Sequence, residues 1–316
     1  MDERIVRQTA ELGGAGGAEH IPHAIEGELT PAVRLIGRLI TLLLLLSVAA
    51  GLWQGFSSHS LLNGVVNGLK ASEVGFAMVL ILLGSIVEGF GYGLSLGTKW
   101  PYTRNIVLLM VRGDPEAAHR VVATLVGLVA LALVILAPGI STISGLILIV
   151  VTALFGMGTL YVLAGRAPAF VHGTHGLLAY GVFLIYLTGL AYPGLDFWTY
   201  LGAMGALHAL LLAVFLGGMT TGQRGFGTAI GAFVQPKKVS QWTVAAHITA
   251  GLLLVATLGY LMPAYPIAFY LAVGQFAVGF LLFHAVSLKP KDPGIMVAFH
   301  QSMVLLMALA IVLVWR

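Results

Sequence analysis

Glu116-Ala117-Ala118-His119-Arg120, running on as VVATLVGLVALALVILAPG to Gly139, sets a carboxylate, an imidazole and a guanidinium at the mouth of an apolar run. The run is about 20 residues long, which is what a helix needs to cross a bilayer. Glu116 and His119 are three apart and share one face of such a helix. Arg120 stands beside them, at the boundary where a charge still reaches water. Asp114 and Pro115, just upstream, suit a helix start.

The rest of the chain has the same character. It is 59% hydrophobic and 9% charged, with a mean hydropathy of +0.97, whereas a soluble domain is about 25% charged. A backbone in lipid must satisfy its polar groups within helices or a closed barrel. The apolar runs here are continuous rather than alternating, so the expected class is an all-α integral membrane protein, multi-pass in the cell membrane. The absence of cysteine excludes thiolate metal sites, iron–sulfur clusters and disulfides. A net charge of +4 with basic residues in loops suits lipid headgroups, and the partner expected from composition is the bilayer, not nucleic acid.

Residues 1–33, with GGAGGAEHIPHAIEGE, read as a mobile polar tail and not as a cleavable signal. His20 and His23 within it read as solvated side chains. Nine apolar segments are expected at about 34–53, 72–96, 117–137, 140–164, 170–191, 197–218, 241–262, 265–287 and 294–315. Pro138-Gly139, Pro193-Gly194, and Pro263 with Pro266 mark tight turns on one side. The first span and its loop, 34–71, stand apart. Two similar four-helix halves follow, 72–191 and 192–316, with His119 in AAHRVVA and His247 in AAHITAG opening corresponding spans as a parallel repeat.

His119, His175, His247 and His300 fall on the third, fifth, seventh and ninth segments. Two crossings separate each from the next, so all four face one side of the membrane. Each lies within about two turns of its helix start, a depth of roughly ten ångström. Interhelical hydrogen bonding explains one such histidine. Four at one depth favour a set of ligands, since ionisable residues within spans mark function by default.

A flat macrocycle with a central iron suits them, with one axial histidine pair in each half. Gly173, Gly176, Gly251, Ala250 and Ala298 are small enough to leave room for a ring. Arg120 could pair with a propionate. A zinc site is disfavoured because nothing completes a tetrahedron. His172 shares a face with His175 and is an alternative ligand. His208 reads as a packed residue, and His59 and His284 receive no role. Glu116 reads equally well as a proton acceptor beside an iron ligand and as a carboxylate stabilised by a helix dipole.

With these residues in view, the sequence resembles the haem A synthase family. Glu116, His119 and Arg120 match its Glu-x-x-His-Arg pattern at a span start. GLSLGTKWP, ending in Trp100 and Pro101, is similar to its glycine-rich segment. GTLYVLAGRAPAFVHGTH leads to His175, FLGGMTTGQRG resembles the corresponding span end, QWTVAAH approaches His247, and QFAVG with VAFHQS approaches His300. The resemblance covers about residues 72–315.

It implies that His119 and His175 hold a substrate haem, haem O, with Glu116 taking part in catalysis. It implies that His247 and His300 hold a haem b cofactor. The reaction would be oxidation of the haem O methyl group to a formyl. Expected partners are haem O synthase and a terminal oxidase. Many members carry paired cysteines that this chain lacks; His247 is followed by Ile248 rather than arginine, and the first span is additional. All Lys and Arg except Lys70 and Arg316 fall on the histidine side. The positive-inside rule places that side in the cytoplasm, whereas the resemblance places it outside. Two other functions fit the histidines: a b-type haem subunit carrying electrons within a respiratory complex, and a transporter using histidines to handle protons.

Overall fold

The computed structural model describes residues 31–57, 60–98, 100, 105–223, 235–289 and 292–314. His20 and His23, His59, Pro101 and Arg224 lie outside the described residues, as does the expected tail except for its last residues, which open the first helix. Among the described residues there are helices and no strands. They are α1 (Pro31–Phe56), α2 (Leu61–Gly89), α3 (Ile106–Val111), α4 (Pro115–Leu136), α5 (Ile140–Leu163), α6 (Phe170–Ala191), α7 (Phe197–Ala203), α8 (Gly205–Gln223), α9 (Val239–Tyr260), α10 (Pro266–Leu288) and α11 (Met296–Val314). All but the short α3 and α7 are long and apolar enough to span a membrane, nine in all among the described residues. The chain is an all-α, multi-pass membrane protein.

Two rings of four helices form the body. α2, α4, α5 and α6 pack in sequence and close where α2 meets α6. α8, α9, α10 and α11 do the same, closing where α8 meets α11. The rings join by α6 against α8 and α11 against α2. The centre is therefore built from the first and last helix of each ring. Phe183 and Leu184 of α6, Leu207 of α8, and Ala308 and Ile311 of α11 are wholly enclosed there. The outer helices α5 and α10 leave Ile147, Leu154, Phe280 and Leu281 exposed, as a lipid-facing surface requires.

α1 packs on α2 through small residues. A Cβ on Gly68 would stand 2.7 Å from the Gly51 carbonyl oxygen, and one on Gly55 would stand 3.3 Å from that of Gly64. Ser47 sits over Gly75, and the Ser72 hydroxyl donates to the Ser47 carbonyl at 3.4 Å. Such a seam lets two backbones approach where lipid offers no hydrophobic drive to association.

Most spans lie close to their expected places, and α6 coincides with 170–191. Two differ. α2 begins at Leu61, where the Ser60 hydroxyl accepts from the Asn63 N–H at 3.2 Å. Asn63, Asn67, Lys70 and Ser72 interrupt the apolar pattern there, yet the helix continues because α1 covers it. The segment expected at 197–218 is broken at Met204 into α7, capped by Asp196, and α8.

Replacing Gly68 with leucine forces α1 off α2. Overpacking of this kind costs about 1–3 kcal/mol. Thermal unfolding of the Gly68→Leu protein in detergent should show a lowered midpoint, with the histidine region unaffected.

Candidate functional site

The four expected histidines occupy one repeated setting. Each ring rests on a glycine of the preceding span, and its Nδ1 points to the residue four positions before that glycine. His175 on α6 lies over Gly156 of α5, and its Nδ1 donates to the Thr152 carbonyl at 3.0 Å. His247 on α9 lies over Gly217 of α8 and donates to the Ala213 carbonyl at 2.9 Å. His119 on α4 lies over Gly84 of α2 and faces the Leu80 carbonyl, though its Nδ1 falls short of a strict hydrogen bond. His300 on α11 lies over Gly279 of α10 and meets Gln275.

The geometry has a simple cause. A helical side chain leans toward the N-terminus and covers the turn before it. Removing it at a glycine uncovers the carbonyl one turn earlier, and an imidazole fills the gap. A Cβ would lie 3.3 Å from the His119 ring at Gly84, 3.1 Å from His175 at Gly156 and 3.0 Å from His247 at Gly217. Anything larger than glycine displaces the ring at these positions.

A carbonyl partner fixes the proton on Nδ1 and leaves a lone pair on Nε2. That is the form in which histidine binds a metal, with the second nitrogen oriented by an outer hydrogen bond. The fourth seat differs, because the Gln275 side-chain nitrogen lies 3.0 Å from both His300 Nδ1 and the His300 carbonyl. A carbonyl only accepts, so the amide nitrogen faces both atoms, and His300 Nδ1 accepts where those of His175 and His247 donate.

The histidines meet in pairs. His247 and His300 have ring centroids 6.3 Å apart with planes at 60°. One metal about 2 Å from each of two facing nitrogens would separate the centroids by about 6 Å. His119 and His175 lie close enough for their charges to interact. Among the described residues no group of three or more His, Asp or Glu side chains could hold a metal ion. Imidazoles with a free Nε2, as at His175 and His247, suit the axial positions of a haem iron.

Glu116 sits in a closed set of contacts. Its Oε2 accepts from the Ser95 hydroxyl and the Leu96 N–H, both at 2.9 Å. Its Oε1 pairs with Arg120 at 2.5 Å. Asp114 caps α4 by accepting from the Ala117 N–H at 2.9 Å, and it also takes the Ser95 hydroxyl at 3.2 Å. Gly113, at φ +94°, makes the turn that delivers Asp114 from α3. The carboxylate thus fastens the segment after α2 onto the mouth of α4, and Arg120 already has an anionic partner.

His172 lies at the α6–α8 crossing, where a Cβ on Gly222 would touch it, and its Nε2 is 3.7 Å from Glu88 on α2. Between the two candidates on α6, His175 holds the seat. Gly173 and Gly176 serve the same crossing, against Phe215 and Val214 of α8, while Gly251 packs on Phe276. The imidazoles themselves are seated on other glycines, Gly84, Gly156, Gly217 and Gly279. Of these only Gly279 stood out in the sequence; the others precede their histidines at unequal distances and carry no pattern that marks them. Glu88 was also missed, hidden in an otherwise apolar span.

Truncating Glu116 leaves the Leu96 N–H without its acceptor, removes the anion beside Arg120 and leaves Ser95 only Asp114. Buried groups stranded this way cost about 1–3 kcal/mol. The Glu116→Ala protein should unfold at a lower temperature and be cut by protease more readily at residues 90–98, as limited proteolysis with mass spectrometry would show. Compared with known proteins, the chain matches no family model, no curated protein and no solved structure.

Proposed function

We propose that this chain is a haem-binding membrane oxidoreductase of the haem A synthase kind. It would oxidise the methyl group of haem O to a formyl in the cell membrane, for use by a terminal oxidase, with haem O synthase as the source of substrate. The observation that carries the reading is the repeated seat: half-buried imidazoles, with His247 facing His300, and with Nδ1 of His175 and His247 bonded to a backbone carbonyl so that Nε2 is left for a metal. The order of the Glu-x-x-His-Arg, QWTVAAH and VAFHQS motifs adds support.

In this reading His119 and His175 hold the substrate haem, and His247 and His300 hold haem b. When bound, haem supplies the redox and oxygen chemistry. The chain's own residues do the rest. The seats set the direction of each ring and stop it turning. The apolar helices around them exclude water. Arg120, tied to Glu116, presents positive charge at the mouth, where a propionate would lie. Glu116 holds or accepts a proton at Oε1 or Oε2 once one of its present donors lets go.

That last requirement favours a second reading. A carboxylate already engaged by Ser95, Leu96 and Arg120 can serve structure alone, and the chain would then be a b-type haem subunit passing electrons to respiratory partners. Glu116→Gln separates the two, because the amide keeps the shape and an acceptor oxygen. Co-expressed with a source of haem O, the wild-type protein should yield haem A. Glu116→Gln should yield at least tenfold less while retaining haem b. Haem A from that variant at the wild-type level removes Glu116 from catalysis.

The haem assignment itself is read from a reduced-minus-oxidised absorption spectrum followed by haem extraction. Wild-type protein should show haem bands. Gly217→Leu should lose the haem b held by His247 and His300, and Gly156→Leu should lose the haem of the other half. A colourless wild-type protein from haem-replete cells would overturn the proposal.

A further inference from the structure

At the opposite end of the first half from the histidines, a carboxyl group is sealed inside the bundle. Glu73 of α2 is 0% exposed, and neither of its oxygens has a hydrogen-bond partner. It lies eleven residues before Gly84, so about 16 Å along the helix from the seat of His119. A polar group that interacts with it comes from α6. The Tyr186 hydroxyl is also enclosed and without a partner, and it lies within reach of the Glu73 charge. Gly145 of α5 makes room for that phenol, since a Cβ there would come 2.5 Å from its oxygen.

The other helices packed on α2 bring no ionisable side chain to this end. Their described ones, Arg38 of α1, Glu116, His119 and Arg120 of α4, and His300 of α11, all lie at the histidine end. On α2 itself, Lys70 is three residues nearer the surface and half-buried, and no ion pair joins it to Glu73.

A bare carboxylate in hydrocarbon, unpaired and without hydrogen bonds, is too costly to persist. An alkali or divalent cation would need several oxygen ligands, and one phenol does not supply them. A single proton needs only the carboxyl group and an acceptor or donor beside it. We propose that Glu73 and Tyr186 form a buried proton-binding site, with Glu73 as the neutral acid and the Tyr186 hydroxyl as its hydrogen-bond partner. Lys70 stands at the approach from the near surface, so the site is placed to exchange protons with that face of the membrane. This assignment does not depend on what the histidines bind.

Infrared spectroscopy of the whole protein in lipid vesicles at neutral pH tests it. The wild-type protein should show the C=O stretch of a protonated carboxylic acid, shifted by 13C-labelled glutamate and lost in Glu73→Gln. Tyr186→Phe should keep the band and move it to higher frequency, because a hydrogen bond is lost. A wild-type-minus-Glu73→Gln difference containing only carboxylate bands overturns the proposal. If Glu73→Gln does not fold, Tyr186→Phe decides: carboxylic acid bands that stay unmoved overturn it equally.

Discussion

An imidazole in hydrocarbon needs an acceptor for its N–H, and a helix offers one only where a side chain has been taken away. This constraint organises the chain. The carbonyls of Leu80, Thr152 and Ala213 each make their own helical bonds and still present a second lone pair. They are reachable because Gly84, Gly156 and Gly217 leave the turn above them bare. The histidine then does two things at once. It fills a gap that lipid or water would otherwise enter, and it is turned so that Nε2 points away from its seat. The ring is held by backbone, which cannot rotate away as a side chain can.

Gln275 is the informative exception. At that position the partner is a side chain, whose amide N–H groups donate to His300 Nδ1 and to the His300 carbonyl. The bond to the His300 carbonyl fixes the amide nitrogen toward His300, so this imidazole accepts at Nδ1 where the carbonyl-bound ones donate. The two halves therefore share a plan while differing in the partner that one of the four histidines meets. The same contrast appears at the mouths: α4 begins with the Glu116–Arg120 pair, whereas the corresponding α9 has Ile248 after its histidine and no acid.

Much of this was legible in the sequence, for reasons that can be traced residue by residue. Span length and apolarity place α4, α5 and α6 nearly to the residue, because Asp114, Pro115 and Pro138-Gly139 punctuate them. The common depth of the four histidines follows from counting crossings. The early start of α2 does not, since Asn63, Asn67 and Lys70 look like a loop until α1 is laid against them. Nor did Glu73 and Glu88 stand out, because a lone acid in an apolar run has no periodic signature and its meaning depends on what faces it. The glycines were visible but ambiguous. A glycine in a span serves a helix crossing as often as a side-chain seat, and Gly173 and Gly156 look alike until their neighbours are known.

The seats also bear on how the chain assembles. Each one joins consecutive spans: α2 with α4, α5 with α6, α8 with α9, and α10 with α11. Every seat is thus a contact within one helical hairpin, of short range in sequence, and such contacts form early and fast. The contacts between histidines are different. His119 meets His175, and His247 meets His300, only when two finished hairpins come together. Nascent hairpins can therefore orient their imidazoles during synthesis, and docking of hairpins becomes the step that brings them together.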